Sequence, residues 1–292
     1  MKLKIWFRVT RPQFLSLAVV LAFLGTVIAW YDGYFHFGHA LLAGIGLVLT
    51  HISVNAVNDY FDYRSGIDLV VRQTPFSGGT GVLPAGLLRP GQVLGLGLIS
   101  LLLTVPIGIY FVLTSGWQLL PMLVVAALII IFYSPFILKR PWPEWAAGAG
   151  LGLLPVLGMY FVQAGAYSFT AVIASIPSAF LVHNLLLLNE FPDAEADKQA
   201  NRKTLPITIG KDRTANLYSV VNIVVYAWII GWAIARVMPA WTLLALLTLP
   251  LSIKAIRGAI HHDDPSKFMP GMSANVMSVL LTQILIGIGY IL

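Results

Sequence analysis

Long apolar runs separated by short polar segments make up most of this sequence. Each run is about 19–24 residues long, and about 20 apolar residues are needed for a helix to cross the hydrocarbon core of a bilayer. Nine runs can be placed, at residues 13–31, 38–61, 92–112, 117–138, 145–163, 168–191, 216–237, 240–259 and 271–292. The sequence therefore predicts an all-α, polytopic membrane protein with nine transmembrane helices.

The composition agrees with this prediction. Of the 292 residues, 58% are hydrophobic and only 10% are charged, which is far from the balance found in soluble domains. The chain contains no cysteine. Disulfides, thiolate catalysis and cysteine-ligated metals are therefore excluded.

The basic residues predict an orientation. If the N-terminus is cytoplasmic, every Lys and Arg except Arg236 falls in a cytoplasmic segment, as the positive-inside rule requires. With nine spans, the C-terminus then lies outside. The formal net charge of +6 reflects this bias and gives no reason to expect a nucleic-acid partner. We expect a multi-pass protein of a bacterial or archaeal cell (inner) membrane, in contact with membrane lipids.

The second apolar run ends in a polar segment, HISVNAVNDYFDYRSGID, residues 51–68. On a helix with 100° per residue, one face about 100° wide carries five polar side chains, namely His51, Asn55, Asn58, Asp59 and Asp62. Carboxylates this close to one another and to a bilayer are costly unless a cation joins them. The segment therefore predicts a divalent-metal site.

A second polar segment, LVHNLLLLNEFPDAEADKQANRKTLPITIGKD, ends the sixth run. Asn189, Asp193 and Asp197 recur there at intervals of four residues. The two segments together hold seven of the twelve acidic residues of the chain, namely Asp59, Asp62, Asp68, Glu190, Asp193, Glu195 and Asp197. Such concentration favours a functional site over solvated surface charge.

The two acidic segments lie four helices apart, on the same side of the membrane. We therefore expect one membrane-embedded domain, residues 1–292, whose helices surround a central cavity open to the cytoplasm. Two similar helical units, roughly 13–138 and 145–259, would each contribute one acidic segment, and a last helix would follow at 271–292.

Oxygen ligands without cysteine suit Mg²⁺, whose open coordination positions are commonly filled by phosphate oxygens. Five nearby cations could neutralise a bound diphosphate, namely Arg72, Lys139, Lys198, Arg202 and Lys203. Arg11 is either a positive-inside anchor or a contact to an anionic substrate inside the cavity. A diphosphate carried on an allylic lipid chain would explain why the site lies in a membrane.

These segments resemble those of the UbiA superfamily of intramembrane prenyltransferases. The resemblance rests on NDYFDYRSGID after the second run, YSP at the end of the fourth and NEFPDAEADKQANRKTLPITIG after the sixth. It implies that Asp59, Asp62, Asp193 and Asp197 are catalytic. The ligands implied for Mg²⁺ and its isoprenyl diphosphate are Asn55, Asn58, Asp59, Asp62, Asp68, Asp193 and Asp197. For the acceptor or prenyl pocket we expect Arg11, Tyr133 and Asn189.

The form NDYxDxxxGxD resembles the branch that prenylates 1,4-dihydroxy-2-naphthoate in menaquinone biosynthesis. Glu190 departs from it, because that branch often has asparagine there. The resemblance to this branch implies an aromatic acceptor, with the naphthoate as the first expectation. The alternatives are 4-hydroxybenzoate, homogentisate, a chlorophyll precursor or a glycerol-phosphate lipid.

An ion-coupled transporter is a more distant alternative, because intramembrane carboxylates also mark ion pathways. A transporter would place its acidic residues near the middle of the bilayer. Here both segments lie at helix ends and continue into basic loops.

Overall fold

The computed structural model describes residues 2–71, 74 and 76–292, and within them the chain is helical with no β-strand. Eight described helices are long and apolar enough to cross a membrane, and one shorter apolar helix lies among them. We number these helices α1 to α9, with the shorter one as α4. Their bounds are Pro12–Tyr31, Phe37–Ser65, Pro90–Thr114, Trp117–Phe132, Pro143–Ala164, Phe169–Gln199, Lys211–Ile234, Ala240–Ile260 and Pro265–Ile291.

The predicted all-α membrane fold is confirmed. The number of spans stays a prediction, because α4 ends at Phe132 rather than at residue 138 and is shorter than the other eight helices. The orientation also stays a prediction. Beyond it, the chain forms only the short helical turn Ile137–Lys139. The division into units 13–138 and 145–259 also stays a prediction.

The helix ends follow local chemistry. Proline, which lacks an N–H and has a fixed φ, occupies the first turn of α1, α3, α5 and α9. At the C-terminal end of α2, Gly66 adopts φ 83°, a left-handed conformation that favours glycine and stops the helix after Ser65.

α6 is one continuous helix across Pro192. Proline removes one backbone hydrogen bond, and here its ring lies on an exposed side of the helix. The helix therefore runs on to Gln199, eight residues beyond the predicted end at 191. Its continuity keeps Asn189, Asp193 and Asp197 on one face.

The helices pack as a closed bundle. α2 lies along α3, α1 contacts both α5 and α9, α6 lies between α5 and α7, and α8 lies against α9. The main hydrophobic core joins α1, α5, α6, α7 and α9. α3 and α4 contact each other sparsely, so this side of the bundle is the least tightly packed.

α5 approaches α6 closely through a π-helical turn at Gly148–Leu153. A Cβ atom on Gly148 would lie 2.6 Å from the carbonyl oxygen of Ala179, and one on Gly152 would lie 2.5 Å from that of Ser178. Only glycine allows this contact, which fixes the position of α5 against α6.

A buried polar network fixes the other side of α6. Asn184 Nδ2 donates to the carbonyl of Tyr218 at 3.0 Å, and the Tyr218 hydroxyl donates to Asn275 Oδ1 at 2.9 Å. Asn275 in turn donates to the carbonyl of Asn184 at 3.3 Å. These bonds connect α6 to α7 and α9 and hold the helix that carries the second acidic segment.

Candidate active site

A cavity of about 770 Å³ lies mainly among α2, α3, α4, α5 and α6. Its walls are largely apolar along α3, α4 and α5, where Ile107, Leu123 and Met159 are typical lining residues. At one end the wall is polar. We call this the acidic end and define it by Asp62, Asp68, Asp193 and Asp197, all of which line the cavity.

The apolar part of the cavity reaches the outer surface of the bundle between α3 and α4. Leu102 and Leu113 on α3 and Val124 on α4 line the cavity, yet they are 65%, 79% and 49% exposed. In a membrane, this opening faces lipid tails.

α2 contributes Asn55, Asn58 and Asp62 to the cavity wall. Asn55 Nδ2 donates to the carbonyl of Thr10 at 3.0 Å, and Asn58 Nδ2 donates to the hydroxyl of Ser134 at 3.1 Å. The hydrogen bonds that the two side-chain nitrogens donate therefore fix the orientation of both amides. Their oxygens are the atoms suited to bind a cation.

Asp59 has a different environment from the other carboxylates. It does not belong to the cavity wall and is 1% exposed. Arg11 Nη2 donates to its Oδ1 at 2.7 Å, the backbone N–H of Thr80 donates to the same oxygen at 3.1 Å, and the Thr80 hydroxyl donates to Oδ2. The predicted role of Asp59 as a catalytic metal ligand would require release from both partners.

Arg11 lines the cavity, and its predicted contact with an anionic substrate stays a prediction. It precedes α1 in a left-handed conformation, with φ 51°, which is uncommon for a residue other than glycine. Burial lowers the pKa of its guanidinium, but Asp59 and the other nearby carboxylates outweigh this and raise the pKa above its usual value. Arg11 therefore stays charged at the wall.

Asp68 follows α2 in the short helix Ile67–Val70 and is buried. A Cβ atom on Gly79 would lie 2.7 Å from Asp68 Oδ1, so the loop at residues 77–81, which we call the glycine-rich loop, passes directly over this carboxylate. Burial, and then repulsion by Asp62 and Asp59, raise the pKa of Asp68 to about 7. A cation near this group would reverse the effect.

α6 contributes Asn189, Glu190, Asp193 and Asp197 to the wall. Asn189 Oδ1, Asp193 Oδ1 and both carboxyl oxygens of Glu190 are buried without a hydrogen-bond partner among the described residues. Buried oxygens are rarely left unpaired in a native protein. These atoms indicate a missing ligand that carries positive charge or donates hydrogen bonds.

Arg202 joins the two acidic segments. One guanidinium nitrogen pairs with Asp62 of α2, and the other lies 2.9 Å from Asp197 of α6. Burial lowers the pKa of Arg202, but the two carboxylates outweigh it and raise the pKa above its usual value. The guanidinium is therefore a fixed positive charge between the segments.

Tyr133 and two glutamates form a further polar group beside the acidic end. Burial, and then the negative charges of Glu190 and Glu144, raise the pKa of Tyr133 well above its usual value. Glu144 accepts the backbone N–H of Leu205 at 2.5 Å and is fully buried. Sequence reasoning passed over Glu144, although an isolated acid beside a membrane helix is a signal of this kind.

The structure describes four of the five predicted diphosphate-binding cations and separates them. Arg202 lines the cavity, whereas Lys139, Lys198 and Lys203 are exposed and do not belong to its wall. Arg72 lies outside the described residues. The roles of the three lysines in binding diphosphate stay predictions.

The donor atoms of the acidic end suit Mg²⁺, since they are carboxylate and amide oxygens on facing helices. Within the part of the chain that the structure describes, however, no three Asp, Glu or His side chains converge on one point. Arg202 lies between the carboxylates of the two segments. A metal would therefore have to displace this guanidinium from at least one of them.

The sequence of this chain is similar to those of one known protein family. The model of the UbiA prenyltransferase family matches residues 14–275. A protein of Bacillus subtilis named 1,4-dihydroxy-2-naphthoate octaprenyltransferase is 28% identical over 298 residues, which cover 99% of this chain and 93% of that protein.

Solved structures share the fold. The apo structure of a UbiA homolog from Aeropyrum pernix K1 superposes with a TM-score of 0.71 at 18% identity, over 96% of this chain and 97% of that one. A UbiA homolog from Archaeoglobus fulgidus bound to GPP and Mg²⁺ gives a TM-score of 0.63 at 13% identity, over 97% and 99% of the two chains. The described protein, with its apolar cavity and two acidic segments, belongs to the UbiA prenyltransferase family.

Proposed function

We propose that this prenyltransferase transfers a polyprenyl group from an isoprenyl diphosphate to 1,4-dihydroxy-2-naphthoate in menaquinone biosynthesis, with Mg²⁺ as its cofactor. The observation that carries the proposal is the acidic end, where carboxylates of α2 and α6 meet at the mouth of an apolar cavity. A diphosphate head with its cation suits the acidic end, and a prenyl tail suits the apolar part of the cavity.

The names of similar proteins support the substrates. The Bacillus subtilis relative is named as an octaprenyltransferase acting on this naphthoate, and the Archaeoglobus fulgidus homolog holds GPP with Mg²⁺. The acidic segments of this chain provide carboxylate and amide oxygens, which are ligand types that suit Mg²⁺.

Mg²⁺ would be held by Asp62, Asp68, Asp193 and Asp197, together with the amide oxygens of Asn55 and Asn58. When bound, it supplies positive charge that stabilises the departing diphosphate. Arg202 and Arg11 provide further positive charge at the wall of the same cavity.

The protein's own groups then guide the reaction. The bond between prenyl C1 and the diphosphate oxygen breaks, and its electron pair leaves with the diphosphate. Apolar walls exclude water from the allylic cation, and the ring of Tyr133 can stabilise it at the polar end. An electron-rich ring carbon of the acceptor bonds to C1, and the ring then carries the positive charge. With naphthoate, the bond between the ring and the carboxylate breaks, CO₂ leaves, and the electron pair of that bond returns to the ring.

The proposed setting is the cell membrane, with the acidic end facing the cytoplasm. This orientation follows from the basic residues of the loops. It allows a charged diphosphate and a charged acceptor to reach the site from water while the tail stays among the helices.

The test is turnover by the purified protein in detergent, followed by mass spectrometry. The substrates are geranylgeranyl diphosphate and a panel of aromatic acceptors, with Mg²⁺ or with EDTA. We expect a decarboxylated prenyl naphthoquinol that forms only with Mg²⁺. Turnover of a different acceptor would contradict the naphthoate assignment, and full activity in EDTA would contradict the cofactor.

A pair of variants separates the site from general charge effects. Asp193→Asn removes a cavity carboxylate, and we expect turnover to fall at least about 10³-fold. Asp212→Asn removes an exposed carboxylate away from the cavity and should leave turnover unchanged. Equal activities of the two variants would contradict the site.

A further inference from the structure

One guanidinium holds the two acidic segments together. Arg202 is bonded to Asp62 on α2 and to Asp197 on α6, and all three side chains are at most 11% exposed. Among the described residues, no other cation pairs with either carboxylate. One oxygen of each of these two carboxylates, the Oδ1 atom, is thus already bonded to a positive charge of the protein.

A buried ion pair of this kind is costly to break by removing one partner. A divalent cation that arrives alone competes with the guanidinium for these carboxylates, and each carboxylate that it takes leaves the buried Arg202 with one partner fewer. A diphosphate changes this balance, because its oxygens can accept the same fork of N–H donors. Arg202 also lines the cavity and therefore borders the space that a diphosphate would enter.

The backbone around Arg202 is held on both sides. Lys203 donates its N–H to the carbonyl of Leu138 at 2.9 Å, and Leu205 donates its N–H to buried Glu144 at 2.5 Å. Asn201, with φ 58°, makes the turn that precedes Arg202. The guanidinium can therefore change partners by side-chain rotation while its backbone stays in place.

We propose that Arg202 is a resident counter-ion that occupies the metal's carboxylates until a diphosphate draws it away. The metal then binds weakly alone and tightly once diphosphate is present, and diphosphate is likewise bound more tightly with the metal. This inference rests on the proposed diphosphate site. It adds an order of events to that site: the two cations of the site exchange ligands when substrate binds.

The test is Mn²⁺ binding to purified protein in detergent, measured by the EPR signal of free Mn²⁺ with and without inorganic pyrophosphate. Without pyrophosphate, we expect Arg202→Gln to bind Mn²⁺ about tenfold more tightly than the native protein, because the competing charge is gone. Pyrophosphate should improve Mn²⁺ binding strongly in the native protein and much less in the variant. The matched control is Arg213→Gln, which removes an exposed arginine outside the cavity and should behave as native.

Unchanged or weaker Mn²⁺ binding by Arg202→Gln in the absence of pyrophosphate would overturn the inference. That measurement contains no diphosphate, so it stands apart from the proposed function. If the native protein fails to bind pyrophosphate even with Mn²⁺, both the inference and the diphosphate site are overturned.

Arg202→Lys keeps the test decisive if the glutamine variant does not fold. Lysine retains the charge but has no planar fork with which to bond both carboxylates. We expect it to bind Mn²⁺ without pyrophosphate more tightly than the native protein, by less than about tenfold. An affinity equal to that of the native protein would count against the exchange.

Discussion

Asp59 and Asp62 are three residues apart on α2, yet their carboxylates have different neighbours. Asp62 lines the cavity and pairs with Arg202, whereas Asp59 lies behind the wall and pairs with Arg11 and Thr80. We interpret Asp59 as an anchor that connects α2 to the segment before α1 and to the glycine-rich loop. Replacement of Asp59 should therefore lower the stability of the folded protein.

Removing the charge of Asp59 should destabilise the fold. In Asp59→Asn, Arg11 keeps its charge in a largely buried position without its partner, and breaking such a pair costs about 3–5 kcal/mol. We expect a lower unfolding temperature in detergent, measured by circular dichroism.

The double variant with Arg11→Gln is the control. It removes both charges, so it should be less destabilised than the sum of the two single variants. Simple additivity would show that the two side chains act independently and would contradict the anchor.

Asp68 makes the metal-free protein sensitive to pH. Its pKa is about 7, above the ordinary 3.8, mainly because it is buried. Because the folded state binds this proton more tightly than the unfolded state, protonated Asp68 stabilises the folded state at low pH. This contribution is lost as the pH rises through about 7. Mg²⁺ requires the carboxylate, so its binding should release a proton at a pH about one unit below that pKa.

The release can be measured by calorimetry of Mg²⁺ binding, with pyrophosphate present, in buffers of different ionisation enthalpy. Asp68→Asn is the matched variant, since it has the same shape and no proton to lose. Equal proton release by the native protein and the variant would rule out Asp68 as the source.

At the scale of elements, α5 shapes the apolar part of the cavity. Gly158 lines it, and a Cβ atom there would lie 3.0 Å from Cε of Met122 on α4. A larger side chain at this position would occupy space that a prenyl tail needs.

We therefore expect Gly158→Leu to lower kcat/KM for geranylgeranyl diphosphate more than for geranyl diphosphate, by about tenfold in the ratio. Competition between the two diphosphates, read by mass spectrometry, measures this ratio. Gly231→Leu is the control, because a Cβ atom there meets nothing within 4 Å and the residue lies outside the cavity wall. An unchanged ratio in Gly158→Leu would contradict the placement of the tail.

Hydropathy predicted the elements well because a bilayer demands long apolar helices. It placed the ends less well. α6 was expected to end at 191 but continues to Gln199, since hydropathy does not detect its last two turns, in which most residues are polar or charged. α4 is instead shorter than predicted, because the chain leaves the helix after Phe132, just before Pro135.

At the scale of the whole molecule, the site combines α2, α6 and the loops that follow them. The sequence predicted one acidic site because carboxylates are rare in apolar helices and were concentrated in two segments, and the metal at that site stays a prediction. It could not show that Arg202 bridges Asp62 and Asp197, which depends on a turn at Asn201 and on packing between distant helices. It also could not show that Asp62 lines the cavity while Asp59 lies behind its wall, because helical spacing says nothing about which side of a shared face meets the cavity; the predicted metal role of Asp59 stays a prediction.

The central claim is that the acidic segments of α2 and α6 together hold the metal and diphosphate at the mouth of the apolar cavity. The most direct measurement is a crystal structure with Mn²⁺ and a non-hydrolysable geranyl thiodiphosphate, in which anomalous scattering locates the metal. We predict Mn²⁺ between Asp62 and Asp197, the diphosphate bonded to Arg202, and the tail among α3, α4 and α5. Mn²⁺ bound elsewhere, with Arg202 still bridging the two carboxylates beside a bound diphosphate, would contradict the account.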